Sequence, residues 1–220
     1  MKYEENDTVS KRMNFVRRIQ LIEEQLKRQA GQDSILYNNA WMRLELDTNT
    51  PLLLESISRL ASSHTQAPTQ PQRLSTLQDI MFDALTFVDM YHQAIQPLVE
   101  SVGGTYVAGK VKDRQRCTFK VENEYAGDAR RLVDVIRGAG VFTSCTDMYK
   151  MIQTMESSST ISILRCKDRI NKPLDSGYRD VILNVSLTSC TDSEPHVAEL
   201  QLRLQPIHDL YAQSHRTYEI

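Results

Sequence analysis

"HVAELQLRLQ", residues 196–205, decides how the rest of the chain is read. Val197, Glu199, Gln201 and Arg203 alternate strictly with Ala198, Leu200, Leu202 and Leu204. That two-residue period belongs to a strand with one apolar and one polar side. Working back, "GYRDVILNVSL" (177–187) and "TISILRCKDRI" (160–170) are rich in β-branched residues and read as two more strands. Cys145 to Met155 has helical spacing through Met148, Ile152 and Met155, and "RLVDVIRGAGVFT" (131–143) suits a buried strand. "RCTFKVENEYAG" (116–127) suits a helix, and before it "VGGTYVAGKVKDR" (102–114) reads as a glycine-opened loop loaded with cations. Beyond the last strand, Pro206 opens a final helix to Tyr218.

The first part of the chain is helical. Leu77 to Val102 carries a rich apolar face that Pro97 should interrupt. Three shorter helices are expected earlier: 9–29, with Thr8 or Ser10 as a cap, 34–47, and 51–63, with Pro51 in a helix-opening position. "SSHTQAPTQPQR" (62–73) is mostly polar and holds two prolines, so it reads as a linker. The expected organisation is an N-terminal helical region and linker over 1–73 and a mixed domain over 74–220. Helices followed by strand, helix and three strands give an α+β or mixed α/β class, a mixed sheet flanked by helices.

The bulk composition excludes several classes. With 40% hydrophobic and 25% charged residues, the chain is that of a soluble globular protein. The 26 Lys and Arg against 28 Asp and Glu create no global field for nucleic acid or anionic membrane, so any phosphate site must be a local cluster. Cys117, Cys145, Cys166 and Cys190 lack the close spacing of a metal knuckle or redox motif and read as reduced thiols. No signal peptide or continuous apolar span is evident, so the expected setting is cytoplasmic, with export by a route that uses no apolar signal as the alternative, and no membrane partner is expected.

Three features carry chemistry. In "GKVKDRQRCTFK" (109–120), Lys110, Lys112, Arg114, Arg116 and Lys120 crowd behind glycines, a pattern that can hold phosphate oxygens or simply form a solvated helix face. Asp134 stands at the mouth of an apolar strand, where an unpaired carboxylate would be costly, so it should meet a cation or a metal. Glu199 is polar within a leucine-rich strand, either a functional carboxylate or the wet side of an edge. Two carboxylates on separate strands with cations between them are the parts needed for Mg2+-assisted phosphoryl chemistry.

Taken in order, "GKVKDRQRCTFK", Asp134 in "DVIRGAGVF", "SGYRDVILNV" and "AELQLRLQP" resemble the synthetase domain of the RelA/SpoT type over roughly residues 77–220. The resemblance implies a nucleotidyltransferase-like fold and a pyrophosphokinase that moves a pyrophosphate group from ATP to the 3'-hydroxyl of a guanine nucleotide or another acceptor. It implies Lys110, Lys112 and Lys120 on ATP phosphates and Asp134 on Mg2+. It also implies Glu199 as a metal ligand or base, and Tyr178 stacked on the acceptor base. Arg116, Lys167 and Arg179 are further candidate nucleotide contacts. Two positions depart from the family pattern: Ile182 stands where a histidine is usual, and Arg137 in "RGAG" is displaced by two. The alternatives are a catalytically inactive nucleotide sensor, or a toxin-like member that acts on RNA ends. The N-terminal helices are candidates for binding a protein partner or a second copy.

Overall fold

A computed structural model describes residues 2–187 and 195–218, with side chains from 17 to 213 apart from 19, 26 and 188–194. Cys190 lies outside the described residues.

The two helices expected over 9–29 and 34–47 are one, α1 (Lys2–Leu44). Nothing between them stops a helix: Gly31 is tolerated with open space around it, and Thr8 and Ser10 lie inside the helix rather than capping it. The chain turns over 45–49, and Pro51 sits in the first turn of α2 (Thr50–Ser63), as expected of a residue without an amide donor. α3 (Leu77–Ser101) starts on a reciprocal capping box between Thr76 and Asp79 and continues through Pro97 rather than breaking there. No described helix is long and apolar enough to cross a membrane.

A short strand absent from the sequence reading follows, β1 (Thr105–Ala108), within what read as a loop. It is an edge strand with mostly exposed side chains, so it carries no alternating signal. Asp113 caps α4 (Arg114–Asn123) by accepting from the amides of Gln115 and Arg116. A 3-10 turn at 129–131 and an irregular but buried stretch, including Leu132, Val135 and Ile136, lead to β2 (Arg137–Phe142), shorter than expected. Then come α5 (Cys145–Ser157), β3 (Ile161–Asp168), β4 (Val181–Leu187), β5 (Val197–Leu204) and α6 (Gln205–Tyr218).

The five strands form one mixed sheet in the order β1-β2-β5-β4-β3, with only β2 and β5 parallel. β5 is therefore central. Its register places Arg137, Glu199, Asn184 and Arg165 in one cross-strand row, and Ala139, Gln201, Ile182 and Lys167 in the next. Residues opposite one another share a face, so these rows form a largely polar side. On the other side, Leu200 and Leu202 enter a buried cluster with Leu53, Ile57 and Leu60 of α2, Ile80, Ile95 and Val99 of α3, and Met148, Met151 and Ile152 of α5. Cys117, Cys145 and Cys166 are free thiols in the interior.

That core also takes in Tyr37, Trp41 and Leu44 of α1, so it runs across residue 73. The stretch read as a linker is packed, not free. Gln70 is fully buried: its Nε2 donates to Leu132 O at 2.8 Å and Val197 O at 2.9 Å, while its Oε1 accepts from Val197 N at 2.9 Å. Gln70 thereby ties the start of β5 to the approach to β2. Gln70→Ala would leave these buried backbone groups unsatisfied and should lower the unfolding free energy by about 3 kcal/mol in urea titrations. A loss below about 0.5 kcal/mol would contradict this role.

Candidate functional site

Asp134 is gripped by two lysines that converge on one oxygen. Lys112 reaches it because its amide donates to Val135 O at 2.9 Å, which lays the 109–112 segment beside the approach to β2. Lys120 reaches it from α4, which is anchored by its Asp113 cap and the buried Cys117. Lys112 Nζ and Lys120 Nζ lie 2.6 Å and 2.9 Å from Asp134 Oδ2. Burial pushes the Asp134 carboxyl up, but the two ammonium groups outweigh it and hold the group below the usual carboxylate range. Lys120, although burial opposes its charge, is raised by the same contact. Asp134 Oδ1 is buried and has no hydrogen-bond partner.

Asp134 and Glu199 line one cleft of about 170 Å³. Lys120 and Lys167 line it too, so four candidates from the sequence meet there. Arg131, Arg165, Asn184 and Tyr125 also line it and were missed. Arg165 and Lys167 sit two apart on β3, so the strand period could have placed them on one side; Arg131 carried no such signal. Tyr125 is a platform for Arg131 at 4.8 Å and Lys120 at 5.4 Å from its ring centre. Lys167 is held below its ordinary value by the protein around it and by Arg165. Lys110 and Arg116 are exposed and do not line the cleft.

Glu199 is buried and fixed at both ends. Its carbonyl accepts from the Tyr91 hydroxyl at 2.8 Å, and its Oε1 accepts from Gln201 Nε2 at 2.7 Å. Arg137, displaced in sequence from the family position, is Glu199's register partner on β2.

Tyr178 belongs to a second cleft of about 350 Å³, whose lining includes Asp33 and Tyr37 of α1, Gln201 and Arg203 of β5, and Tyr211 of α6. The ring is buried. It meets Tyr37 edge-on at 5.5 Å and Tyr211 at 5.3 Å, and its hydroxyl donates to Asp180 Oδ2 at 3.0 Å. Burial pushes the Tyr178 hydroxyl far up, and it pushes Asp180 up despite the Arg169 ion pair at 2.9 Å. Gly177 has φ +77°, and a Cβ there would press on the Ser34 backbone at 3.1 Å, so the turn requires glycine. Arg179 lines neither cleft. Its guanidinium lies 4.9 Å from the Trp41 ring, with Nη1 donating to Ile170 O.

The clefts adjoin along β5. Glu199 faces the first, Gln201 and Arg203 the second, and the Glu199–Gln201 hydrogen bond joins them.

Neither a protein-family model nor a curated protein sequence matches the chain. Solved structures do. A GTP pyrophosphokinase family protein from Streptococcus pneumoniae is 17% identical, with 65% of this chain and 77% of that one covered and a TM-score of 0.55. The small alarmone synthetase 1 from Bacillus subtilis bound to its product pppGpp is 14% identical, with 62% and 80% covered and a TM-score of 0.53. These likenesses show the fold, a pyrophosphokinase-like mixed sheet flanked by helices. Within that class it is the fold of the small alarmone synthetases, as the resemblance of the sequence to a RelA/SpoT-type synthetase domain implies.

The lysine grip has a pH signature. A carboxyl lowered on folding contributes stability above its unfolded value of about 3.8, and that contribution is lost as pH falls through the lowered folded value. Between pH 5 and pH 3 the wild type should therefore lose stability more steeply than Asp134→Asn in urea unfolding. Equal slopes would contradict the grip.

Proposed function

We propose that the protein transfers a pyrophosphate group from ATP to the 3'-hydroxyl of a nucleotide acceptor, with Mg2+ assistance. The observation that carries this reading is the pair of adjoining clefts on one side of the sheet: one cationic, in which Asp134 and Glu199 stand with a third, exposed carboxylate, Asp128, at its edge, the other aromatic, with Glu199 at their junction.

In the first cleft, Lys120, Arg131, Arg165 and Lys167 supply the charge-assisted donors that triphosphate oxygens need. Among the described residues no three His, Cys, Asp or Glu converge, so the protein offers no closed metal cage. It offers oxygen ligands instead: the unpartnered Asp134 Oδ1 and the Glu199 carboxylate. That donor set fits Mg2+, which is commonly held by one or two carboxylates together with substrate phosphates. When bound, the ion would neutralise charge on the transferring group. Lys112 and Lys120 keep Asp134 ionised for that task.

The second cleft, walled by Tyr37, Tyr178 and Tyr211 with Arg203 beside them, suits a nucleoside, with a guanine nucleotide as the acceptor in this reading. In the transfer, the acceptor O3' forms a bond to the β-phosphorus, and the bond between that phosphorus and the oxygen bridging to the α-phosphate breaks. AMP leaves, and the hydroxyl proton passes to Glu199 Oε2, the metal in that case being held through Asp134 and the substrate phosphates. The substrates are soluble nucleotides, and the setting proposed is cytoplasmic.

Incubation with β-labelled ATP, Mg2+ and GDP, GTP or an RNA oligonucleotide tests this. Label should move to a nucleotide acceptor, and Asp134→Asn and Glu199→Gln should each reduce transfer by at least about 100-fold. Absence of transfer to every acceptor, or transfer undiminished in both variants, would refute the reading.

A further inference from the structure

We propose that Gln201 is a positioning residue that couples the two clefts, so that a nucleotide in one strengthens binding in the other. The inference rests on the functional reading above and adds a property to it. Glu199, Gln201 and Arg203 occupy alternate positions of β5 and form a continuous side-chain chain: Arg203 Nη2 donates to Gln201 Oε1, and Gln201 Nε2 donates to Glu199 Oε1 at 2.7 Å. One end of the chain lines the cationic cleft and the other lines the aromatic cleft.

The chemistry of its ends gives the chain a direction. A guanidinium can only donate and an ionised carboxylate can only accept, so the Gln201 amide has one satisfactory orientation. Rotating the amide would set oxygen against carboxylate and NH2 against guanidinium. Across the sheet, Gln201 is flanked by Ala139 and Ile182, both buried, and neither side chain has a polar atom to compete for the amide. Ile182 is the position where the resembled family has a histidine, so here the relay is insulated by a hydrocarbon neighbour. Arg203 is held over the Tyr211 ring at 4.6 Å and lines the aromatic cleft, where its guanidinium is the cation a nucleotide acceptor would meet.

An acceptor nucleotide that engages Arg203 would hold this already formed chain more firmly, through the Gln201 amide to Glu199 Oε1. That leaves Oε2 at the junction of the clefts, where the acceptor hydroxyl would meet the donor phosphates. By linkage, the donor must tighten acceptor binding by the same factor.

Calorimetric titration of GDP, with and without a saturating non-hydrolysable ATP analogue and Mg2+, measures that factor. In the wild type the analogue should tighten GDP binding about tenfold, within the usual range of coupled sites. In Gln201→Met, of similar length but without an amide, the ratio should fall to about one, whatever happens to the affinity for either nucleotide alone. Gln201→Glu, which keeps the shape and loses the donor, should show the same loss and serves if the methionine variant does not fold. A wild-type ratio of one, or a ratio preserved in either variant, overturns the relay while the functional reading stands. If the wild type binds neither nucleotide, the functional reading fails and the relay with it.

Discussion

A central strand with one polar side is the constraint on which the rest of this structure depends. β5 has neighbours on both edges, so its backbone is fully committed and its side chains can only alternate. Leu200, Leu202 and Leu204 satisfy one side by entering the core. Glu199, Gln201 and Arg203 cannot do so, and burying them unpaired would be costly. They bond to one another along the strand, and the elements around them, α1 and α6 among them, leave two clefts over them.

The same economy governs Asp134. It sits at the end of an apolar approach to β2, where a lone carboxylate would not remain ionised. Lys112 comes from the segment hydrogen-bonded beside it and Lys120 from the next helix. The two together keep the charge and leave Oδ1 unpartnered. A buried charge with its partners on only one oxygen keeps an acceptor open to a cation, which is the physical basis of the proposal that Mg2+ binds there.

The sheet was legible in the sequence wherever side chains alternate or β-branched residues run together: β3, β4 and β5 fall where expected, and Glu199 was visible as a polar break in a leucine pattern. β1 was not legible, because an exposed edge strand of four residues has no buried side to imprint a period. The continuity of α1 was hidden by Gly31 and by weak periodicity around it. For the candidate site, the joint presence of Asp134, Glu199, Lys120 and Lys167 in one cleft followed from residues named in advance, whereas Arg131 and Asn184 arrive through tertiary packing. The burial of Tyr178 was not legible either, because it comes from the approach of α1 and α6, remote in the chain. Lys110 and Arg116 looked equivalent to Lys112 and Lys120, but the segment's pairing and the helix phase turn only the latter two toward Asp134.

In the proposed function, one side of β5 separates a donor nucleotide from an acceptor nucleotide. A crystal structure of the protein with Mn2+ in place of Mg2+, a non-hydrolysable ATP analogue and GDP tests it most directly. Anomalous density for the metal should appear beside Asp134 and Glu199. The triphosphate should lie among Lys120, Arg131 and Arg165, and the acceptor between Tyr178 and Arg203 with its 3'-hydroxyl facing Glu199. Nucleotide density elsewhere on the surface, with both clefts empty, would contradict it.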